Sequence, residues 1–379
     1  MAEREKREGS ATMDLIGSLI PYAICALASA IATAWLIEVG RGRRGDLQEF
    51  SRLFTKTSGF SEAEDAEAFR KVRKYWDERP CNSGWKFPGI EFGSKEVKER
   101  SSVAGIDLDR LIALGRSDEE EEYHIPVFAE FDKWKGKRVL EIGGGICTTA
   151  TSFAKAGAKI TVVELSPKSM ELCQKRFKIL GLEDRATFYV ANAESLSSVV
   201  PVETYDLVWS FGVIHHSPNP ERIIDQIKQY MGKESKLKLM VYSKISFKLF
   251  WVLNHTRQWS FAKMDEVVAH YSEAREGSPV TYTYSYRGLA KLLQDFDVLY
   301  MGKAHIFPYQ IEPYKSGKYV VDPLWQGVSK GRWEELEEEL GWHLLAEARM
   351  SEGGERKEII FESSVSSRFE GLRGVLPKE

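Results

Sequence analysis

Residues 138–145 read Arg-Val-Leu-Glu-Ile-Gly-Gly-Gly, and this stretch decides the fold. Its apolar residues predict a short buried strand, and the three glycines predict a tight turn directly after it. The next residues, Thr148 to Ala156, have a helical pattern. A strand, a glycine turn and a helix in succession open a Rossmann-type βαβ unit, whose helix offers free N–H groups to a ligand. The stretch therefore predicts an α/β domain with a ligand site at the turn.

Three further strands follow this unit along the chain. Lys159–Val163 is apolar and is followed by Glu164, which lies 19 positions after Gly145. An acid about 20 residues beyond such a turn is typical of one that binds ribose hydroxyls. Ala186–Val190 and Tyr205–Ser210 are predicted as the third and fourth strands. This order favours a nucleoside-containing ligand with its ribose at Glu164.

The residues at the ends of these strands resemble the class I, Rossmann-like methyltransferases that use S-adenosylmethionine, particularly the type 11 group. Glu141 and the glycines match the family motif that holds the methionine part of the cofactor. Glu164 matches the acid that grips the ribose, and Asn192-Ala193-Glu194 stands where the family usually has Asp-Ala beside the adenine. Residues 211–220 match the segment after strand four. The resemblance covers about residues 120–350.

The resemblance implies a sheet of strand order 3-2-1-4-5-7-6, in which the last strand is antiparallel, and S-adenosylmethionine as cofactor. Further strands are expected at residues 237–242, 297–300 and 342–348, and further helices at residues 221–230, 289–293 and 332–340. The cofactor-binding residues that the resemblance implies are Glu141, Gly143, Gly144, Gly145, Glu164, Leu165, Asn192, Ala193, Glu194, Ser210 and Phe211.

The chain departs from the family pattern at two positions. Cys147 replaces the third glycine of the usual Gly-x-Gly-x-Gly, and Asn192 replaces the common aspartate. The first change narrows the cofactor loop, and the second removes a charge near the adenine. A non-catalytic binding protein that keeps the fold therefore stays open as an alternative. A nicotinamide-dependent oxidoreductase is less favoured, because its usual Gly-x-Gly-x-x-Gly is absent.

Three histidines are predicted to be catalytic. Methyl transfer is an in-line displacement, so the protein mainly aligns the acceptor, and a base is needed only for a protonated acceptor. His215 and His216 follow strand four at the carboxyl edge of the sheet, where doubly wound folds bind ligands. The alternative is that one of them packs against or caps the next helix. By analogy with the family, His305 and Tyr309 are predicted to line the acceptor pocket.

The N-terminal region predicts a membrane anchor. Residues 15–37 contain no charged side chain, and 23 residues of helix span about 35 Å, enough to cross a bilayer. A cleaved signal peptide, with a site at Ala28-Ser29-Ala30, and a buried helix are the alternatives. The predicted segments are a leader (1–14), the anchor (15–37), a linker (38–60), a helical cap (61–135), the methyltransferase domain (136–350, with an insertion at 247–286) and a disordered tail (351–379).

Composition limits the partners. The net charge of −3 offers no basic field for nucleic acid, so we expect none as a partner. The four cysteines are scattered, which predicts reduced thiols and no structural metal site. The cap and residues 247–309 are rich in aromatics, which favours a small-molecule or lipid-like acceptor. Because the cofactor pool is cytosolic, we expect the catalytic domain to face the cytosol.

Overall fold

The computed structural model describes residues 62–78, 122–258, 264–272, 278–310, 312–313 and 320–351. The helices of these ranges are α1 (Glu62–Glu78), α2 (His124–Ala129), α3 (Thr148–Lys155), α4 (Pro167–Ile179), α5 (Pro220–Lys228), α6 (Phe247–Thr256), α7 (Met264–Ser272), α8 (Tyr286–Leu292) and α9 (Lys330–Leu340). The strands are β1 (Arg138–Ile142), β2 (Lys159–Glu164), β3 (Ala186–Val190), β4 (Tyr205–Phe211), β5 (Met231–Ser243), β6 (Thr283–Tyr284), β7 (Phe296–Ala304) and β8 (His343–Met350).

The strands form one mixed sheet of order β3-β2-β1-β4-β5-β8-β7, with the two-residue β6 beside β5. β1 runs parallel to β2 and β4, whereas β8 runs antiparallel to both β5 and β7. Without the short β6, this is the order that the family resemblance implies, and that prediction is confirmed. The order reverses direction at β1 and β4, so the carboxyl ends of these strands form the edge where α/β sheets bind ligands.

The sheet is covered on both faces, as its apolar strands require. Consecutive residues alternate between two cores: Val139 of β1 packs with Phe153 and Trp209, whereas Leu140 packs with Val208 and the helix α5. All five of these named side chains are completely buried. This continuous burial holds β1 and β4 rigidly in the centre of the sheet, and with them the loops at their carboxyl ends.

A buried lysine fastens α2 onto the sheet. The ammonium group of Lys238 on β5 donates to the carbonyl oxygen of Phe128 at 2.7 Å and to the carboxylate of Glu130 at 2.6 Å. The Lys238 side chain is 1% exposed, so these contacts replace its lost hydration. They fix the C-terminal end of α2, and therefore the direction in which the preceding residues approach the sheet edge.

Several predicted segments lie outside the described residues. These are the leader, the anchor and the linker (1–60), residues 79–121 of the cap, and residues 352–379 of the tail. Among the helices that the structure does describe, none combines the length and apolar character needed to cross a bilayer. Within the range predicted as a helical cap, the structure has the helices α1 and α2.

The prediction of reduced thiols is wrong for two of the four cysteines. Cys147 and Cys173 are joined by a disulfide and both side chains are completely buried. The two residues lie 26 positions apart, which gives no pairing signal in the sequence. They meet because β2 returns the chain alongside β1 and places α4 against the glycine loop. Cys25 and Cys81 lie outside the described residues.

Candidate active site

The glycine loop after β1 is held by the end of β2. The N–H groups of Gly143 and Gly144 donate to the carbonyl oxygen of Val163 at 2.8 and 3.1 Å. The N–H group of Gly145 donates to the Glu164 carboxylate at 2.8 Å. Three successive glycines therefore place the loop directly beside the predicted ribose-binding acid.

Packing against neighbouring side chains also requires glycine at positions 143 and 144. Gly143 has a φ of +77°, and a Cβ built there overlaps the side chain of Val213. A Cβ at Gly144 overlaps Val162. The loop is thus squeezed between β2 and the segment after β4, which the sequence pattern alone did not indicate.

Two buried carboxylates flank this loop. Glu164 is 8% exposed, and its second oxygen accepts the Ser166 N–H at 2.8 Å. Burial raises its pKa against the lowering effect of these backbone hydrogen bonds. Glu141 is 3% exposed and accepts a hydrogen bond from Thr149. Burial, and to a lesser extent the nearby Glu164, raises the pKa of Glu141 to about 8.

These groups fit the cofactor that the resemblance implies. Oε2 of Glu141 is buried and has no partner among the described residues, so it offers an acceptor suited to an ammonium group. The Glu164 oxygens accept backbone N–H groups, among them those of Gly145 and Ser166, and a carboxylate has further lone pairs for a hydroxyl donor. An amino-acid group at Glu141 and a ribose at Glu164 match this donor and acceptor pattern.

The predicted adenine-side residues organise their own loop. Asn192 accepts the N–H of Glu194 at 2.9 Å and so begins a short 3-10 helix. The Glu194 carboxylate accepts from the Ser217 hydroxyl, from the Asn219 N–H at 3.2 Å and from the Asn219 side-chain amide at 3.3 Å. Glu194 therefore joins this loop to the segment after β4. Ala193 and Leu165 are half-buried beside it.

The end of β4 is lined by aromatic and histidine side chains. Ser210 is completely buried, and its hydroxyl has no partner among the described residues. Phe211 stacks on Trp209, with ring centroids 5.3 Å apart. His215 is completely buried against Tyr242, at a ring distance of 4.0 Å. Burial, together with nearby His216, lowers the pKa of His215 well below its ordinary value, so this imidazole is neutral at pH 7.

His216 is held in one tautomer. Its Nδ1 lies 2.9 Å from the carbonyl oxygen of Val280, which only accepts, so Nδ1 carries the hydrogen. In this tautomer Nε2 is the acceptor nitrogen of the ring. The ring of Trp76 lies 5.5 Å away, so α1 reaches this histidine. The neighbour of Trp76, Asp77, accepts a hydrogen bond from the Ser166 hydroxyl at 3.1 Å. Through these two residues α1 contacts both the segment after β4 and the segment after β2, on either side of the glycine loop.

His305 lies in a second cluster, with His124 and His343. Its ring is 5.7 Å from the ring of His124 and 4.8 Å from that of His343. Burial, and then the positive charge of Lys248, lowers the pKa of His305 to about 4. Tyr242 links the two clusters, because its ring lies 4.0 Å from His215 and 6.2 Å from His343.

Sequence reasoning missed several residues of this region: Tyr242, Lys248, Trp342 and His343. His343 faces Tyr242 in the antiparallel β5–β8 register, and Trp342 stacks on Tyr242 at 4.2 Å. The ammonium group of Lys248 lies 4.8 Å from the ring centre of Phe307 and 4.9 Å from that of Trp342. No motif marks these residues, because their proximity depends on strand register.

Comparison with known proteins distinguishes between a methyltransferase and an oxidoreductase domain. Residues 140–237 match the model of a family described as a methyltransferase domain. This region is a class I methyltransferase domain. Its cofactor is S-adenosylmethionine, and the matched residues contain the glycine loop, Glu164 and both histidines after β4. The methyltransferase interpretation therefore holds for this domain over the oxidoreductase alternative.

Curated relatives of the domain are distant. The chain is 26% identical over 180 residues to a phthiotriol/phenolphthiotriol dimycocerosates methyltransferase of Mycobacterium leprae, covering 46% of this chain and 62% of that one. It is 25% identical over 123 residues to the mitochondrial ubiquinone biosynthesis O-methyltransferase of Schizosaccharomyces pombe, covering 32% and 44%. The chain thus spans less than two thirds of the length of these relatives.

Solved structures of similar proteins include the geranyl diphosphate C-methyltransferase of Streptomyces coelicolor. That comparison has a TM-score of 0.45 at 11% identity and covers 75% of this chain and 98% of that chain. The magnesium protoporphyrin IX methyltransferase of Synechocystis matches with a TM-score of 0.41 at 14% identity, covering 75% and 97%.

Proposed function

We propose that the whole chain is an S-adenosylmethionine-dependent methyltransferase that acts on a small-molecule or lipid-like acceptor. The observation that carries the proposal is the paired acid arrangement at the glycine loop. Glu141 presents a buried, unpartnered oxygen on one side, and Glu164 is tied to Gly145 on the other. These two acids bracket the loop that the methyltransferase family uses for its cofactor.

The bound cofactor supplies a methyl group that is already activated on a sulfonium. The chain's own residues therefore mainly position the acceptor and keep water away from it. The helix α1 contacts Ser166 beside Glu164 and also His216, so it covers the cleft between them and excludes water there. His216 is proposed to accept a proton from the acceptor at Nε2. His215, which is buried against Tyr242, stays a predicted catalytic residue. So does His305, which is half-buried beside His343.

The proposed acceptor side is aromatic. Phe211, Tyr242, Phe307 and Trp342 line the region around the histidines, together with one buried ammonium group, that of Lys248. Aromatic walls with a few polar groups are typical of sites for small or amphiphilic ligands. The names of two relatives, which point to dimycocerosate and ubiquinone biosynthesis, support a lipid-like acceptor for this chain as well.

We further propose that residues 15–37 anchor the chain in a membrane with the catalytic domain in the cytosol. The uncharged run is long enough to span a bilayer, and an amphiphilic acceptor would reach the site from that surface. The Cys147–Cys173 disulfide is completely buried, which shields it from thiol exchange in a reducing compartment.

The test is calorimetric titration of S-adenosylhomocysteine into the full chain in detergent micelles. We expect saturable binding to the native chain and about 10–100-fold weaker binding to Glu164→Gln, because a charge-assisted hydrogen bond is lost. Glu171→Gln is the matched control, since that carboxylate pairs only with exposed Lys168 and Lys175 on α4 among the described residues. A well-folded native chain that does not bind would overturn the proposal.

A further inference from the structure

A glutamate and two histidines converge beside the end of β4. One oxygen of Glu122 and one nitrogen each of His305 and His343 all lie within 4.8 Å of one another. Oε1 of Glu122 is 3.9 Å from Nε2 of His343, too far for a hydrogen bond. The three residues come from the segment before α2, the segment after β7 and the first residue of β8.

A fourth residue orients one of these histidines. Nε2 of His124 lies 3.0 Å from Nδ1 of His343, and both rings are almost completely buried. This contact occupies Nδ1 of His343 and leaves its Nε2 directed to Glu122. A ring held through its second nitrogen is the usual support for a metal-ligating histidine.

The Glu337 carboxylate binds the chain next to two of the three cluster residues. Glu337 on α9 accepts the Ile306 N–H at 3.3 Å and also the Tyr123 hydroxyl. It therefore holds the residues next to His305 and next to Glu122 at the same point. His305 itself has a left-handed φ of +64°, a strained conformation for a histidine that the surrounding contacts must maintain.

We propose that Glu122, His305 and His343 bind a divalent transition-metal ion of the zinc type. Two imidazoles and one carboxylate are the ligand set of many zinc and iron(II) centres that keep a position open for substrate. Metal binding at this cluster does not depend on the proposed methyl transfer, whereas the ion's role toward the acceptor rests on it.

The geometry needs only a small closure. Ligand atoms around a tetrahedral zinc ion lie about 3.3–3.5 Å apart, given bonds of about 2.0–2.1 Å. The Glu122–His343 pair, at 3.9 Å, must close by about half an ångström, and the widest pair, within 4.8 Å, by up to about 1.4 Å. The Glu122 side chain is 29% exposed, which leaves it room to make this movement. The positive charge of Lys248 nearby disfavours a cation, so the Glu122 carboxylate is the ligand whose charge matters most.

The cluster borders the proposed acceptor side at Phe211. The ring of Phe211, at the end of β4, lies 5.7 Å from that of His343 and 6.0 Å from that of His124. An ion held here would lower the pKa of an acceptor hydroxyl bound to it, and would hold either a hydroxyl or a carboxylate of the acceptor in one orientation. The site therefore takes acceptors that carry an oxygen ligand.

The test is a cobalt(II) titration of the full chain in detergent micelles after treatment with a chelator. We expect one Co²⁺ per chain, with the visible absorption of imidazole-bound cobalt, displaced by Zn²⁺. His343→Ala and Glu122→Gln should abolish this band. His124→Ala should weaken binding by about 10–100-fold without changing the stoichiometry, as for a residue that orients a ligand. Circular dichroism checks that each variant is folded.

Controls separate this site from surface binding. His255 and Glu312 form another pair, 3.3 Å apart and more exposed, and His255→Ala should leave the band intact. The inference is overturned when the native chain gives no cobalt band, or when the band is lost in His255→Ala but persists in His343→Ala. Binding of S-adenosylhomocysteine, measured in parallel, reports on the methyltransferase proposal separately.

Discussion

At the scale of single residues, Glu141, which lies on β1 just before the glycine loop, has a strongly raised pKa. Glu141 is buried beside a second carboxylate, and its pKa of about 8 keeps it protonated at pH 7 in the unliganded chain. The folded chain holds this proton up to about pH 8, whereas the unfolded chain releases it near the ordinary value of 4.5. The contribution of Glu141 to stability therefore falls as the pH rises through that window.

Cofactor binding should remove this proton. The ammonium group of the bound cofactor would stabilise the ionised form of Glu141. Below pH 8, S-adenosylhomocysteine should therefore bind about tenfold more tightly for each unit by which the pH is raised. Calorimetry at pH 7 in two buffers of different ionisation enthalpy should show release of nearly one proton. In Glu141→Gln both the release and this pH dependence should vanish; equal heats in the two buffers for the native chain would contradict the expectation.

The glycine at position 143 should be irreplaceable for reasons of packing. Gly143→Ala combines a positive φ with overlap against Val213, and we expect it to lower the free energy of unfolding by about 2–4 kcal/mol. Gly181→Ala is the matched control: its φ is +64°, but nothing lies within 4 Å of the added Cβ, so about 1 kcal/mol is expected. Urea denaturation measures the free energy of unfolding of both variants. Equal decreases would contradict the prediction, because they would show that the Val213 side chain moves aside.

At the scale of elements, α4 holds the glycine loop at two places. Cys173 forms the disulfide with Cys147, and Arg176, one turn later, donates to the Thr148 hydroxyl at 2.8 Å and to the Ile146 carbonyl at 3.2 Å. Cys147, which stands at the third glycine position of the motif, has a φ of +65°, in the left-handed region that favours glycine. The departure from the motif thus places a disulfide within the loop.

Breaking this link should cost stability. Cys173→Ser should lower the free energy of unfolding by about 3 kcal/mol, since a loop of 26 residues is no longer closed in the unfolded chain. Reductant present during urea denaturation, where unfolding exposes the disulfide, should reproduce the loss in the native chain and have no further effect on the variant. Thiol titration of the denatured, unreduced chain should find two of the four cysteines free; four free thiols would refute the disulfide.

At the scale of the whole molecule, the described residues place the cofactor loop, α1 and the histidine clusters at the edge formed by the carboxyl ends of β1, β2 and β4. The proposed anchor would hold the catalytic domain close to a membrane surface. Such tethering raises the local concentration of an amphiphilic acceptor without any change in the site.

The anchor makes a cellular prediction. The native chain should stay with membranes after alkaline carbonate extraction, because residues 15–37 cross the bilayer. Ala26→Arg combined with Ala30→Arg places two charges mid-span at about 3 kcal/mol each, and should release the chain. Ser10→Arg, which lies outside the apolar run, is the control. Extraction of the native chain by carbonate would contradict the anchor.

The sequence alone determined the order of the elements, the strand topology through the family resemblance, and the cofactor side of the site. These features are local: Glu141, the glycines and Glu164 sit at strand ends that apolar runs and turn residues mark directly. The family match over residues 140–237 confirms the domain to which these features belong.

Which distant residues meet depends on the tertiary packing of the chain. The Cys147–Cys173 disulfide depends on how α4 packs, and the cluster of Glu122, His305 and His343 depends on where α2, β7 and β8 end. The facing of His343 and Tyr242 depends on the antiparallel register, in which a slip of one residue would turn each side chain to the other face. Such contacts are set by packing over long sequence separations, and no local pattern encodes them.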